Sequence, residues 1–174
     1  MILTPRLAKL SDSKRIFDLY KRVSKKNGGI ARTEDEINED YIFKNLKNSI
    51  NSGISLVIEN NDATKIIAEI HCYKLVPKVF SHILSELTIV VDADYQKKGL
   101  GKLLFTSLLK IVEEKRGDIL RIELIARESN VKAIKFYEGL GFRIEGRFEN
   151  RICNKINSFE ADIPMAWFNK NYLK

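Results

Sequence analysis

Two glycines one residue apart, Gly99 and Gly101, offer the clearest chemistry in the chain. They follow the apolar, β-branched run 89–91 and precede a stretch whose apolar residues recur at helical spacing. Three lysines surround them: Lys97, Lys98 and Lys102. Glycine leaves backbone amides unshielded, and the first turn of a helix offers unpaired N–H groups and the positive end of its dipole. The pattern predicts a strand–loop–helix unit that binds an anion such as pyrophosphate.

Two common phosphate-binding motifs do not fit this loop. A Walker loop ends in Gly-Lys-Ser/Thr, and here Leu103 follows the Gly-Lys pair, so the hydroxyl that would hold magnesium is missing. A dinucleotide fingerprint needs a third glycine, and Leu104 occupies its position. The remaining pattern is Gln-x-x-Gly-x-Gly over residues 96–101. On the loop alone, an ordinary strand-to-helix turn with solvated lysines stays open.

A second group of candidate residues lies on a short predicted helix. Asn130 and Tyr137 are two helical turns apart, so both are expected on one side of that helix. Ala133 belongs to the same stripe, and its small side chain leaves room for a ligand. Ser129 or Asn130 is expected to cap the helix and Gly139 to end it. Taken singly, Asn130 is equally well a plain cap and Tyr137 an ordinary amphipathic-helix residue.

Both groups resemble motifs of the GNAT family of N-acetyltransferases. The acetyl-CoA loop of that family reads Gln/Arg-x-x-Gly-x-Gly/Ala, and a later segment reads Asn-x-x-Ala-x-x-x-Tyr-x-x-x-Gly-Phe, in the same order as here. The resemblance covers residues 54–168. It implies an α/β fold with a central, mostly antiparallel sheet that is splayed between its fourth and fifth strands and flanked by helices. It also implies a single acetyltransferase domain over residues 1–174.

The resemblance implies acetyl-CoA as the co-substrate and no metal. The backbone of the strand before the loop is expected to pair with the pantetheine, and the loop amides to hold the pyrophosphate. The implied cofactor-binding residues are Ile89, Val90, Val91, Gln96, Lys97, Lys98, Gly99, Leu100, Gly101, Lys102, Asn130, Ala133 and Tyr137.

The implied activity is that of an acyltransferase: acetyl transfer to a primary amine by direct attack in a ternary complex. An amine with a pKa of about 10 is protonated at neutral pH, so a base must act first. Glu86 is expected to be that base, since it is a charge in an apolar strand and shares a face with Val90 if the strand alternates regularly. Tyr137 is expected to protonate the leaving thiolate, and an amide near Val90 or Val91 to stabilise the oxyanion. The alternative bases are Glu69, Glu123, His82 and a water chain.

The elements that must position these residues follow from hydrophobic periodicity. Strands over 54–58 and 66–73 flank the turn residues 60–62 and form a predicted hairpin, and a third strand over 82–91 runs into the loop. Two helices precede them, one ending at 27–29 and one starting at the Thr33-x-x-Glu36 capping box. Residues 28–35 are either a mobile wall of the acceptor site or an ordinary loop. A strand over 120–125 and a final hairpin over 142–152 and 158–167, turning at 154–157, complete the chain.

Composition describes a globular protein. The 174 residues are 44% hydrophobic and 30% charged, without a long apolar run, so neither a membrane span nor a signal peptide is predicted. Cys72 and Cys153 lack a partner pattern, which indicates reduced thiols and a cytoplasmic protein. The histidines are His71 and His82 alone, so a Cys/His zinc site would need both cysteines and both histidines, and no such site is predicted.

The net charge of +7 favours an anionic partner. The basic residues are dispersed, without a tract of five or more, which favours a phosphorylated cofactor over nucleic acid. A catalytically inactive CoA-binding module and a basic nucleic-acid-binding protein remain as alternatives. The final hairpin resembles that of the bacterial branch that acetylates amino acids, polyamines or protein N-termini, and its edge leaves a homodimer open.

Overall fold

The computed structural model describes residues 3–25, 32–153 and 158–173. The chain divides into two compact units, Met1–Lys74 with Thr88–Ile111 and Leu75–Leu87 with Val112–Lys174. Two predicted features lie outside the described residues: the end of the first helix at 27–29 and the turn at 154–157. The proposed acceptor wall at 28–35 lies partly outside them as well.

The helices and strands have the following bounds. The helices are α1 (Ser13–Ser24), α2 (Glu39–Ser52), α3 (Leu100–Lys115) and α4 (Val131–Gly139). The strands are β1 (Arg6–Leu7), β2 (Gly53–Glu59), β3 (Ile66–Lys74), β4 (Ile83–Val91), β5 (Arg121–Arg127), β6 (Arg143–Ile144), β7 (Phe148–Cys153) and β8 (Phe159–Phe168). Within the described ranges, no helix has the length and apolar character needed to cross a bilayer.

In the first unit the strands lie in the order β1-β2-β3-β4, and β4 contributes its residues 88–91 to this unit and its residues 83–87 to the second. β2 and β3 pair antiparallel from Gly53–Tyr73 to Ile58–Ala68, which confirms the predicted hairpin. Asn60 closes the turn between them, because its N–H donates to the Lys65 carbonyl at 3.0 Å and its Oδ1 accepts from the Lys65 N–H at 2.8 Å.

One face of these strands packs against α1 and α2 through a buried apolar cluster. From α1 it contains four residues at helical spacing: Ile16, Leu19, Tyr20 and Val23. From the other elements it contains Ile37, Ile42, Leu46, Val57, Ile66 and Val90. Burying one such side chain contributes about 1.5–3 kcal/mol, so this cluster holds both helices on the sheet.

The second helix begins later than predicted. The capping box forms in part, since the Glu36 carboxylate accepts from the Thr33 N–H at 2.8 Å, but it closes only a turn. Ile37 is then buried in the core, and Asn38 has an extended backbone with φ −126°. Asn38 is the true cap, because its Oδ1 accepts from the Tyr41 N–H at 2.8 Å. The predicted start was wrong because the burial of Ile37 takes precedence over continuing the turn.

A buried ion network joins the start of α1 to β1 and β2. Asp12 is 1% exposed and accepts hydrogen bonds from Arg6, Arg15 and the Lys9 N–H. Glu59 accepts from the same two arginines at 2.7 and 2.6 Å. Burial alone would raise the pKa of Asp12, but its hydrogen bonds outweigh that effect and hold the pKa well below the usual range.

In the second unit β5 and β8 form the central antiparallel pair, from Arg121–Phe168 to Arg127–Asp162. β4 joins β5 in parallel at the first residues of both strands, Ile83 with Arg121 and Leu84 with Ile122. β6 and β7 both pair with β8, so the final hairpin is present, but its first arm, predicted as one strand over 142–152, is divided into these two strands. The predicted α/β class, with a mostly antiparallel sheet and flanking helices, is therefore confirmed.

We expect Asp12→Asn to lower the free energy of unfolding by about 2 kcal/mol at pH 7, because it removes a buried partner of two arginines. A lowered pKa stabilises the fold above the ordinary carboxyl pKa, and this stabilisation is lost progressively as the pH falls from about 4 towards the lowered pKa, so part of it is gone at pH 3. Urea denaturation at pH 7 and pH 3 measures both effects. The matched control is Asp18→Asn, which removes an exposed partner of Lys14 on the same helix and should cost under about 0.5 kcal/mol. An equal loss in the two variants would contradict the role given to Asp12.

Candidate active site

The glycine loop leaves β4 through one 3₁₀ turn, Ala93–Tyr95, and enters α3 at Leu100. Within it Lys97 has φ +60° and Gly99 has φ +80°, both left-handed. Glycine adopts this conformation freely, whereas for lysine it costs about 1 kcal/mol. Left-handed residues in a short turn are typical of the backbone nests that bind anions. The predicted strand–loop–helix unit is thus present, and two of its loop residues are left-handed.

The amides at the start of α3 are open. Leu103 donates the first hydrogen bond of this helix, to the Gly99 carbonyl at 3.0 Å, so the N–H groups of residues 100–102 precede the helical pattern. A Cβ built on Gly101 would approach Ile89 Cδ1 at 3.7 Å, and one built on Gly99 would meet nothing within 4 Å among the described residues. This open space over unshielded amides fits an anionic group.

The side chains of the loop divide into two kinds. Lys97, Lys98 and Lys102 are exposed, and the Lys98 Nζ lies 4.7 Å from the centre of the Tyr95 ring. Gln96, although also exposed, donates from Nε2 to the Val91 carbonyl at 3.3 Å. The lysines therefore supply positive charge, whereas Gln96 ties the loop to the end of β4.

Asp92, which the sequence analysis did not single out, fixes the start of the loop. It is 8% exposed, and its Oδ2 accepts from Arg22 Nε at 2.8 Å. Its Oδ1 accepts from the Asp94 N–H at 3.3 Å and caps the 3₁₀ turn. An aspartate directly after a strand and before a turn is a local capping signal, but its arginine partner lies 70 residues away in sequence.

The strand residues expected to contact the cofactor are the last three of β4. Val90 is buried in the apolar cluster of the first unit, whereas Ile89 and Val91 are half-buried. Their backbone leads directly into Asp92, whose N–H donates to the Ile67 carbonyl of β3 at 2.8 Å. The strand and the loop are therefore held as one continuous piece.

Glu86 lies in β4 as predicted, but its surroundings differ from those expected. Its side chain is exposed, so it is not a charge buried in an apolar strand. Its backbone is left-handed, with φ +54°, and the regular alternation assumed for this strand does not hold there. Non-glycine residues in this conformation cost about 1–3 kcal/mol and cluster at functional sites. Glu86 remains a candidate through exposure and backbone strain.

Glu69, a rival base, is the centre of a buried polar cluster in the first unit. It is 1% exposed and accepts from the Tyr20 hydroxyl at 2.8 Å and the Ser55 hydroxyl at 3.1 Å. His71 Nδ1 lies 3.1 Å from the same carboxylate, and its ring stacks on Tyr73. Burial holds the pKa of Tyr20 well above its usual value, so that hydroxyl keeps its proton and donates. The carboxylate of Glu69 is thus occupied by its structural partners.

Of the two remaining side-chain rivals, Glu123 has a side-chain partner in the fold, whereas the contact of His82 is made by its backbone. Glu123 lies 3.0 Å from Arg121 Nε, and Arg121 also pairs with Glu145. His82 is half-buried just before β4, and its carbonyl accepts from the Leu120 N–H at 2.8 Å. Ion pairing explains the charge of Glu123 without a catalytic role.

The second group of predicted residues lies at α4. Asn130 caps this helix, since its Oδ1 accepts from the Ala133 N–H at 3.2 Å. With φ −88° and ψ 58° it stands outside the helix, so the expected two-turn stripe with Tyr137 is reduced to Ala133 and Tyr137. Gly139 is the last residue of α4, as predicted.

The Tyr137 ring packs between aromatic neighbours. Its centre lies 5.6 Å from that of Phe136 and 6.1 Å from that of Phe142. Burial raises the pKa of Tyr137 above its usual value. A phenol in this state keeps its proton at neutral pH and can donate it.

The candidate residues are divided between the two units. The glycine loop, Asp92 and residues 89–91 are together in the first unit, with the Glu69 cluster. Glu86, Asn130, Ala133 and Tyr137 belong to the second unit. Each group has its own local support, given above.

Known proteins resemble the chain in both sequence and fold. A curated ribosomal-protein-alanine N-acetyltransferase of Escherichia coli is 46% identical over 63 residues, which are 34% of this chain and 41% of that protein, so the match spans about two-fifths of the relative's length. A GNAT-family acetyltransferase from Streptococcus pneumoniae superposes with a TM-score of 0.82 at 24% identity, covering 97% of this chain and 99% of the other. The structure of yncA, a putative acetyltransferase from Salmonella typhimurium with its cofactor acetyl-CoA, gives 0.82 at 18% identity, covering 100% and 98%. At these identities the two structures show the fold.

The family of the chain is identified by its match to a family model. The model described as the acetyltransferase (GNAT) family matches residues 15–142, most of the chain and parts of both units. This range includes the glycine loop and the α4 segment, the two motifs with which the sequence resemblance began. The chain therefore belongs to the GNAT acetyltransferase family.

Proposed function

We propose that the protein transfers an acetyl group from acetyl-CoA to a primary amine. The observation that carries this proposal is the open glycine loop at the start of α3, in a chain of the GNAT family. Since the family match includes residues of both units, we propose that they act as one acetyltransferase domain.

The cofactor would be held by backbone and by charge. The amides of residues 97–102 would hold the pyrophosphate, with the exposed side chains of Lys97, Lys98 and Lys102 adding positive charge. The backbone of Ile89–Val91 would pair with the pantetheine, and Asn130 and Ala133 would complete the binding residues. When bound, acetyl-CoA supplies a thioester acetyl donor, whose sulfur would leave as a thiolate and need a proton.

Two side chains would handle protons. The exposed carboxylate of Glu86 can take a proton from an ammonium group, which frees the amine lone pair. Tyr137 holds a proton at its phenol oxygen, which burial retains at neutral pH, and would donate it to the departing thiolate, which leaves as the thiol. General acid–base assistance of this kind is worth about 10²–10⁴-fold in rate.

The acceptor would be a protein N-terminus, an amino acid or a polyamine. The Escherichia coli relative, a ribosomal-protein-alanine N-acetyltransferase, supports testing an N-terminal alanine peptide first. A cytoplasmic location agrees with two cysteines that form no disulfide, Cys72 and Cys153. We also propose a homodimer, because β6 and β7, which pair with β8 on the side away from β5, form a sheet edge that a second copy could pair with. Sedimentation of the protein tests this oligomeric state.

We expect Gly99→Ala to stay folded and to bind acetyl-CoA at least about tenfold more weakly. A Cβ built on Gly99 meets nothing within 4 Å in the described part of the free protein, but the methyl group fills the space over the amides and is strained at φ +80°. Calorimetric titration with acetyl-CoA measures the affinity and thermal unfolding checks the fold. The control is Gly146→Ala, whose Cβ has an ordinary contact of 3.8 Å with Pro164, far from this loop in sequence. Equal affinity of all three proteins would remove the loop from the cofactor site.

We expect Tyr137→Phe and Glu86→Gln each to lower kcat by about 10–10³-fold while the acetyl-CoA Kd stays within about twofold. Each change removes one proton-transferring group and keeps the shape of the side chain. Thiol release from acetyl-CoA, with an alanine-leading peptide, free amino acids and spermidine as acceptors, measures kcat. A variant with unchanged kcat excludes that residue from proton transfer.

The same assay separates the proposal from its alternatives. Binding of acetyl-CoA by a wild type that acetylates none of these amines would favour a CoA-binding module without activity. Binding of generic duplexes that weakens steeply with salt, without acetyl-CoA binding, would favour a nucleic-acid-binding protein.

A further inference from the structure

We propose that the ion pair between Arg22 of α1 and Asp92, the residue after β4, sets both the direction and the charge of the pyrophosphate loop. Arg22 and Asp92 are positioning residues here, since they act through the loop amides. The inference rests on the proposed function, because it takes residues 97–102 as the pyrophosphate site.

Asp92 fixes the backbone at the start of the loop. All its hydrogen-bonding groups are used: its N–H donates to the Ile67 carbonyl at 2.8 Å, and its own carbonyl accepts from the Tyr95 N–H at 2.9 Å. Its carboxylate accepts from Arg22 on one oxygen and from the Asp94 N–H on the other. The turn that leads into the left-handed residues of the loop therefore starts from a residue held by four hydrogen bonds, two through its backbone and two through its carboxylate.

Arg22 connects this point to the rest of the unit. Besides its bond to Asp92, it donates from Nη2 to the Ile66 carbonyl at 2.9 Å. It thus bridges the first residue of β3 and the residue after β4, and holds the carboxylate in one orientation. A guanidinium with two fixed acceptors is well suited to that role, because its donors have a rigid planar geometry.

The pair also matters for charge. A carboxylate at the entrance of an anion site repels a pyrophosphate, and Asp92 is buried enough, at 8% exposure, that water screens its charge poorly. Arg22 neutralises it at 2.8 Å. Without Arg22, the anion would face an unpaired negative charge and a turn with one fewer restraint.

The experiment compares ligands with and without a pyrophosphate in the full-length protein. We expect Arg22→Gln to weaken acetyl-CoA binding roughly tenfold by calorimetry. Pantetheine, which lacks the pyrophosphate, should bind to this variant as to the wild type in an NMR titration. Adding Asp92→Asn to Arg22→Gln should restore part of the acetyl-CoA affinity, since the unpaired charge is then gone. In the free protein, Arg22→Gln should shift the amide resonances of residues 97–102.

Two controls guard against a general loss of structure. Lys21→Gln removes one positive charge from the preceding position of α1 and should leave acetyl-CoA binding unchanged. The Lys21 Nζ donates to the Glu34 carbonyl and not to Asp92. Arg22→Lys keeps the positive charge and should fold even if Arg22→Gln does not. Because lysine has one donor group where arginine offers several, Arg22→Lys should lose some affinity for acetyl-CoA, but less than Arg22→Gln loses.

Each outcome decides the question. Wild-type affinity for acetyl-CoA in Arg22→Gln, or an equal loss for acetyl-CoA and pantetheine, would overturn the proposal while leaving the proposed function intact. If the wild type itself does not bind acetyl-CoA, the proposed function fails, and unchanged loop resonances in Arg22→Gln would overturn the positioning role as well.

Discussion

A buried carboxylate must be surrounded by hydrogen-bond donors, and the first unit satisfies this constraint three times. Asp12, Glu69 and Asp92 are all buried, and each accepts a hydrogen bond from α1. The donors are Arg15, Tyr20 and Arg22. Between them, the apolar residues of the same helix enter the core. The helix is therefore fixed along its length, because leaving any of these carboxylates unpaired would cost several kcal/mol.

The chemistry of the candidate cofactor site comes mainly from the backbone. Unshielded amides, left-handed residues and a helix start need no particular side chain other than glycine, and this explains why a short motif identifies the loop. The direction of those amides, in contrast, depends on residues outside the motif, Asp92 and Arg22 among them. The candidate acid and base lie in the other unit, where burial acts on Tyr137 and backbone strain on Glu86.

The features that could be predicted from sequence are those with a local cause. The β2–β3 hairpin follows from two apolar runs around a turn, and the buried face of α1 from helical spacing. The α2 start could not be predicted from its capping box, because the burial of Ile37 depends on the whole core. The prediction of regular alternation was wrong at Glu86, because nothing in the sequence marks a glutamate that adopts a left-handed backbone. The partner of Asp92 was missed since it depends on how α1 meets the sheet.

The Glu69 cluster has a consequence for how the sheet pairs. In the observed register Val57 lies opposite Glu69 and Ser55 opposite His71, so the polar groups share one face with Tyr20. A slip of one residue would turn every β3 side chain to the other face relative to β2. The carboxylate would then lose its donors and enter the side occupied by Ala68 and Ile70, which are fully buried. The hydrophobic pattern of β3 tolerates such a slip, since both of its faces are buried, and it is the misplaced charge that rules out the wrong pairing.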